Sequence, residues 1–217
     1  GIILNTPNLK LFRNYALKEK LKEQFDCKIS VENDANLFAL GEWHTQYNSN
    51  NHVLGVTLGT GLGFGFVFNG KLFSGGSGMA MEYGLSPFEW GMGEKNISIR
   101  YIRKRSKELF GDELSPRIVE EMWYENDSKA IQIYNEFGEN LGIVLSHVIN
   151  MVDPQVITIG GGLSKAFKCF EKAMFLKIKE HSPSFNQNKI IISSSKLREL
   201  STMVGACIMV KGNYKTL

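Results

Sequence analysis

The sequence predicts an α/β fold with an antiparallel hairpin set into it, on three observations. Apolar runs of strand length alternate with segments of helical period. Glycine clusters close two of those runs, at residues 59–65 and 160–162. Asn69-Gly70 separates two further apolar runs, which is the strongest short signal for a hairpin.

The elements follow in chain order. Residues 16–25 place Leu17, Leu21 and Phe25 at helical spacing among Lys and Glu, predicting a helix, and residues 27–31 predict a strand. Glu32-Asn33-Asp34 is a polar turn between that strand and a helix over residues 35–43, a position where sites gather in α/β sheets. Residues 53–58 read as an apolar strand, and residues 66–73 as strand, turn and strand around Asn69-Gly70. A helix rich in Arg and Lys is predicted over residues 96–110, stopped by Gly111. Residues 128–152 carry Tyr134, Phe137, Leu141, Leu145, Val148 and Val152 at steps of three and four. Their second half is apolar nearly all round, which marks a central, buried helix. A buried strand over 156–159, a tight turn at Gly160-Gly161-Gly162, a helix over 163–180, a strand over 189–193 and a closing helix over 203–210 complete the series.

At 217 residues, 43% hydrophobic and 22% charged, the chain has the composition of a soluble globular protein with a substantial core. No apolar run approaches the roughly 20 residues that span a bilayer, and the first ten residues lack the layout of a signal peptide. The expectation is a cytoplasmic protein with no membrane partner. Cys27, Cys169 and Cys207 are odd in number and far apart, which suggests neither a disulfide framework nor a metal knuckle. A net charge of +3 is too small to imply a nucleic-acid partner and is compatible with a small phosphorylated ligand.

Several residue sets could carry chemistry, and each has a plainer reading beside it. The run Thr57-Leu58-Gly59-Thr60-Gly61-Leu62-Gly63-Phe64-Gly65 could bring backbone amides and Thr hydroxyls to phosphate oxygens; it could equally be a hairpin whose glycines allow close packing. Gly161 and Gly162 could make room for a nucleotide at a helix start or could serve the turn alone. Asp34 could take the proton of a hydroxyl that attacks a γ-phosphate, with Asn33 orienting that hydroxyl, yet Asn or Asp here also suits a helix N-cap. Glu82 could accept bonds from two adjacent sugar hydroxyls or be one more surface glutamate. The basic run Arg100, Arg103, Lys104, Arg105 and Lys107 reads as a solvated helix face, and His44, His52, His147 and His181 show no metal-ligand spacing.

In order and approximate spacing these segments resemble the ROK family (repressor, open reading frame, kinase) across nearly the whole chain. The match runs from Asn5-Thr6-Pro7-Asn8-Leu9 through Val31-Glu32-Asn33-Asp34-Ala35-Asn36, Leu40-Gly41-Glu42, the residues 56–65 VTLGTGLGFG and the residues 75–84 GGSGMAMEYG. It ends with Ile157-Thr158-Ile159-Gly160-Gly161-Gly162-Leu163 and Gly205-Ala206. The resemblance implies the actin-like, ribonuclease-H-like ATPase fold, with residues 1–217 as the C-terminal, sugar- and nucleotide-binding lobe. It implies an ATP-dependent hexose kinase of glucokinase type in which Asp34 is the base and Asn33 and Glu82 hold the sugar. Gly59, Thr60, Gly61 and Gly63 would lie near the phosphates, and Gly161 and Gly162 near the adenosine. ATP with Mg²⁺ and a homodimer follow from the same resemblance. The alternative is the sugar-sensing domain of a ROK repressor, which would need a helix-turn-helix upstream and would bind DNA through it.

The sequence departs from the family in two places. The Asp-x-Gly-Gly-Thr phosphate loop of the N-terminal lobe is not present, so the expectation is a truncated chain, inactive alone. The family's zinc ligands are replaced by Leu85, Trp90, Met92 and Ile97, so no zinc is expected and these four side chains are expected to pack together as an apolar plug.

Overall fold

A computed structural model describes residues 1–3, 10–88 and 91–211. Residues 5–9 of the family match and Trp90 of the expected plug lie outside the described residues.

The chain begins with a single turn of 3₁₀-helix at Lys10–Phe12 and a short helix α1 (Leu17–Lys22). Residues 27–31 do not form the expected strand; they lead without regular structure to the helix α2 (Asp34–Gln46). A strand needs a neighbour to take its backbone hydrogen bonds. The described sheet offers none here, and Val31 is exposed.

Among the described residues, five strands form the main sheet, in the order β3 (Lys71–Leu72), β2 (Leu62–Phe68), β1 (His52–Leu58), β6 (Val156–Gly160), β7 (Ile191–Ser194). β1 (His52–Leu58) and β2 (Leu62–Phe68) are antiparallel across the tip Gly59-Thr60-Gly61. β2 then turns into β3 (Lys71–Leu72) at Asn69-Gly70. Both turn residues have positive φ, 50° and 72°, the pair that a two-residue hairpin matching the sheet twist demands. β6 (Val156–Gly160) lies parallel to β1, with Thr57 opposite Gly160, and β7 (Ile191–Ser194) lies parallel to β6. The carboxyl ends of β1 and β6 therefore emerge side by side.

Between the hairpin and β6 lie a 3₁₀ turn (Tyr83–Leu85), a small second sheet of β4 (Pro87–Phe88) and β5 (Gly91–Met92), and the helices α3 (Gly93–Asn96), α4 (Ile99–Phe110), α5 (Pro116–Tyr124) and α6 (Ser128–Val152). The helix expected over 96–110 is thus α4 with its cap at Gly111, φ 86°. After β6 come a 3₁₀ segment (Gly162–Ala166), α7 (Phe167–His181), α8 (Pro183–Gln187), and finally α9 (Leu200–Val210).

Alternation along the strands builds three layers. Leu54, Val56 and Leu58 of β1 and Ile157 and Ile159 of β6 join one core with Tyr134, Phe137, Leu141 and Leu145 of α6 and Phe170 and Met174 of α7. The other face meets α2, where Val53 and Val156 pack with Ala39. α2 and α9 cross at backbone contact: a Cβ on Gly41 would stand 1.9 Å from the Ser201 carbonyl oxygen, and one on Gly205 1.9 Å from that of Leu37. That contact fixes the start of α9 against the helix that carries Asp34.

Candidate active site

Local chemistry sets the start of α2. Asn33 is its N-cap, its Oδ1 accepting from the amides of Ala35 (2.9 Å) and Asn36 (3.4 Å). Glu32 holds the same turn from the other side, accepting from the Asn33 amide and from Asn36 Nδ2, each at 2.9 Å. With the cap supplied by Asn33, Asp34 is the first helical residue, exposed to solvent. The two plainer and functional readings are divided between neighbours: Asn33 caps, which still leaves its amide nitrogen to donate, and Asp34 presents a carboxylate.

Asp34, Gly59, Thr60, Gly61, Gly63 and Gly161 line one cavity of about 420 Å³ at the carboxyl ends of β1 and β6. This is where ligands bind in open α/β sheets. Gly161 is required there twice over. Its φ is +82°, and a Cβ would stand 2.3 Å from the Leu58 carbonyl oxygen. Gly63 also has a packing role, since its Cβ would meet Thr57 Oγ1 at 2.6 Å. At the tip, Gly59 N–H is spent on the Gly61 carbonyl, and the Gly59 carbonyl accepts from the Ile99 amide, which ties the tip to α4.

Glu82, Asn33 and Gly162 are not among the residues lining that cavity. Glu82 nevertheless senses it: partial burial, then the negative charges of Asp34 and Glu94, raise its carboxyl above the ordinary 4.5. The residue before it, Met81, has φ +67°, a conformation that side-chain-bearing residues rarely hold and that collects at functional sites.

The apolar plug expected from Leu85, Met92 and Ile97 does not form. Leu85 is 48% exposed, Met92 is half-buried, and Ile97 joins the main core. The 3₁₀ turn points Leu85 outward, so burial cannot be what holds the segment at that position. Other contacts do so. A Cβ on Gly84 would stand 2.0 Å from the Leu62 carbonyl oxygen, so the turn lies directly on β2. Tyr83 packs edge-on to Phe64, and its hydroxyl stands 2.5 Å from Nδ1 of His147 on α6. Gly93 N–H bonds the Ser86 carbonyl at 3.0 Å, and Asn96 Nδ2 bonds that of Phe88 at 3.3 Å. Among the described residues, no three His, Cys, Asp or Glu side chains gather as metal ligands.

Sequence reasoning missed four polar residues. Glu94, Arg198, Glu199 and Thr202 also line the cavity, and none lies in a motif. A fifth, Glu42, was legible only as part of the family match. It is fully buried on α2. Its Oε1 accepts from Ser195 Oγ (2.6 Å) and from Ser201 Oγ, and its Oε2 from Thr158 Oγ1 (2.7 Å) and Gln46 Nε2 (3.1 Å). One carboxylate thus ties α2, β6, the end of β7 and α9 into a frame around the cavity.

The ROK family profile matches residues 1–213. N-acetyl-D-glucosamine kinases are similar: that of Haemophilus influenzae is 35% identical over 179 residues, which is 72% of this chain and 59% of the relative. That of Histophilus somni is 35% identical over 184 residues, 75% of this chain and 60% of the relative. The chain therefore spans about 60% of the length of these relatives. Among solved structures, a putative sugar kinase from Cytophaga hutchinsonii superposes with a TM-score of 0.84 at 26% identity, covering 97% of this chain and 74% of the other. A ROK glucokinase from Streptomyces griseus, in complex with glucose and AMPPNP, gives a TM-score of 0.84 at 24% identity, covering 97% and 77%, a likeness of fold.

Proposed function

The chain belongs to the ROK family and has its actin-like, ribonuclease-H-like ATPase fold, and from that premise we propose that it is the sugar- and phosphate-binding lobe of an ATP-dependent sugar kinase. The observation that carries this reading is the position of Asp34. An exposed carboxylate at the start of α2 stands on the wall of a cavity whose other wall is two glycine turns, at the ends of adjacent parallel strands.

In this reading Asp34 accepts the proton of a sugar hydroxyl, O6 of a hexose, as that oxygen attacks the γ-phosphorus; the new O–P bond forms as the β,γ-bridging bond breaks and ADP leaves. The Asn33 amide nitrogen and the Glu82 carboxylate hold neighbouring hydroxyls, Glu82 accepting from two. The tip Gly59-Thr60-Gly61 and Gly161 face the phosphates. The cavity wall offers hard oxygen donors and no ready-made metal cage. That fits Mg²⁺, which arrives on nucleotide phosphates and takes one or two carboxylates from a protein. Glu94 would hold it, and it would supply neutralisation of phosphate charge.

The names of the relatives favour N-acetyl-D-glucosamine over glucose as the acceptor. The repressor reading shares the fold, but a sensor has no use for a base in reach of a phosphate-sized cavity, and the placement of Asp34 favours the kinase. A coupled ADP-release assay on the full encoded protein, over a panel of hexoses and N-acetylhexosamines, tests this. We expect turnover with N-acetyl-D-glucosamine, and a fall of roughly 10²- to 10⁴-fold in Asp34→Asn, whose cap is intact because Asn33 supplies it. No phosphorylation anywhere on the panel would end the kinase reading.

A further inference from the structure

The proposed phosphate cavity has an unfavourable charge balance for its ligand. Among the described residues, its wall holds the carboxylates of Asp34, Glu94 and Glu199 and one cationic residue, Arg198. A polyphosphate brought against three carboxylates meets strong repulsion in a partly desolvated site. Mg²⁺ offsets part of it, and Arg198 offers a fixed positive charge.

The conformation and setting of Arg198 are unusual. Its φ is +54°, a region that side-chain-bearing residues rarely occupy and glycine occupies freely. The turn is held in that shape: the Arg198 amide donates to Ser195 Oγ at 2.8 Å, and Ser195 Oγ in turn donates to the buried Glu42. Arg198 makes no ion pair among the described residues. It lines both the phosphate cavity and a second cavity of about 300 Å³, where Lys165 and Lys168 stand with Glu171, Tyr124 and Phe167. An arginine held at the boundary of two cavities, in a backbone state that would suit glycine better, and in no ion pair among the described residues, has the features of a group kept for an anion.

We propose that Arg198 is the residue that determines phosphate-donor specificity, reading the polyphosphate chain where it passes between the two cavities. The inference rests on the nucleotide-dependent kinase reading, and it predicts that the donor is recognised through its phosphates more than through its nucleoside.

The test uses the full encoded protein and its Arg198→Gly, Arg198→Gln and Arg198→Lys variants, titrated calorimetrically with Mg-ATP, inorganic tripolyphosphate and adenosine, with the melting temperature of each variant recorded. Arg198→Gly relieves the backbone state, so it should melt at or above the wild-type temperature while losing tenfold or more in affinity for ATP and tripolyphosphate and none for adenosine. Arg198→Gln, which keeps the backbone state and removes the charge, should lose the same affinity, and Arg198→Lys should lose less. Unchanged ATP affinity in Arg198→Gly and Arg198→Gln would overturn the proposal. So would an equal loss for adenosine, which would make Arg198 a support for the turn. A wild-type protein that binds ATP through Arg198 yet phosphorylates no sugar would sink the kinase reading and leave only the recognition of phosphate by Arg198 standing.

Discussion

The two carboxylates assigned to the sugar sit in opposite mechanical settings. Asp34 heads a helix whose body is locked from within: Glu42, two turns further along α2, is fully buried and accepts four hydrogen bonds, one from Gln46 of the same helix and three from other parts of the fold. Glu82 precedes a 3₁₀ turn and follows a residue with positive φ, in a segment fastened by surface contacts such as Tyr83 to His147. A base must meet the reacting hydroxyl within a fraction of an ångström, and rigid support supplies that. A group that recognises the rest of the sugar can ride on a segment that changes more easily, and such segments are where specificity varies.

The contrast sets the size of the expected effects. Glu42→Ala strips the acceptor from three buried hydroxyls at once and should cost at least about 3 kcal/mol of stability, read as a lower urea midpoint. A loss below about 1 kcal/mol would mean that the frame around Asp34 is not held by this network. Glu82→Gln should weaken sugar binding by about 1–3 kcal/mol in calorimetry. It should also raise the melting temperature of the ligand-free protein at neutral pH. The fold raises the Glu82 carboxyl, so its ionised form opposes folding: that cost is absent below the ordinary carboxylate range and fully present above the raised value. For the same reason sugar affinity should fall on acidification, beginning at a higher pH than an ordinary carboxylate would give, and Glu82→Gln should abolish that dependence. A pH-independent affinity in the wild type would remove Glu82 from the sugar.

Tyr83→Phe should cost about 0.5–1.5 kcal/mol and raise the sugar KM more than it lowers kcat, because it loosens the Glu82 segment and leaves α2 untouched. A kcat loss with constant KM would contradict this division of labour. The smallest expected effect is none: chelator treatment should leave the melting temperature unchanged, checked beside elemental analysis for zinc.

Legibility in the sequence followed the range of the interactions. The Asn69-Gly70 hairpin, the start of α2 and the periodic α6 are decided by neighbours along the chain, and all three were readable. Ser115 and Pro116 were an equally local start signal for α5, a cap followed by a proline, and were passed over. Residues 27–31 looked like a strand because their apolar pattern is local, whereas a strand is completed by a partner that pattern cannot supply. The plug failed similarly: Leu85, Met92 and Ile97 share polarity but not direction. Asp34 and the glycine turns were legible through motifs. Arg198, Glu199 and Thr202 were not, because they reach the cavity only when β7 docks beside β6 and α9 crosses α2.

The central claim is that the Asp34 carboxylate meets the hydroxyl that is phosphorylated. A crystal structure of the protein with N-acetyl-D-glucosamine bound tests it most directly. The account predicts O6 within about 2.6–3.2 Å of an Asp34 Oδ atom, facing the cavity beside Gly59–Gly61, with Glu82 on two other hydroxyls. A sugar bound with Asp34 turned away from every hydroxyl, or lodged outside this cavity, would contradict it.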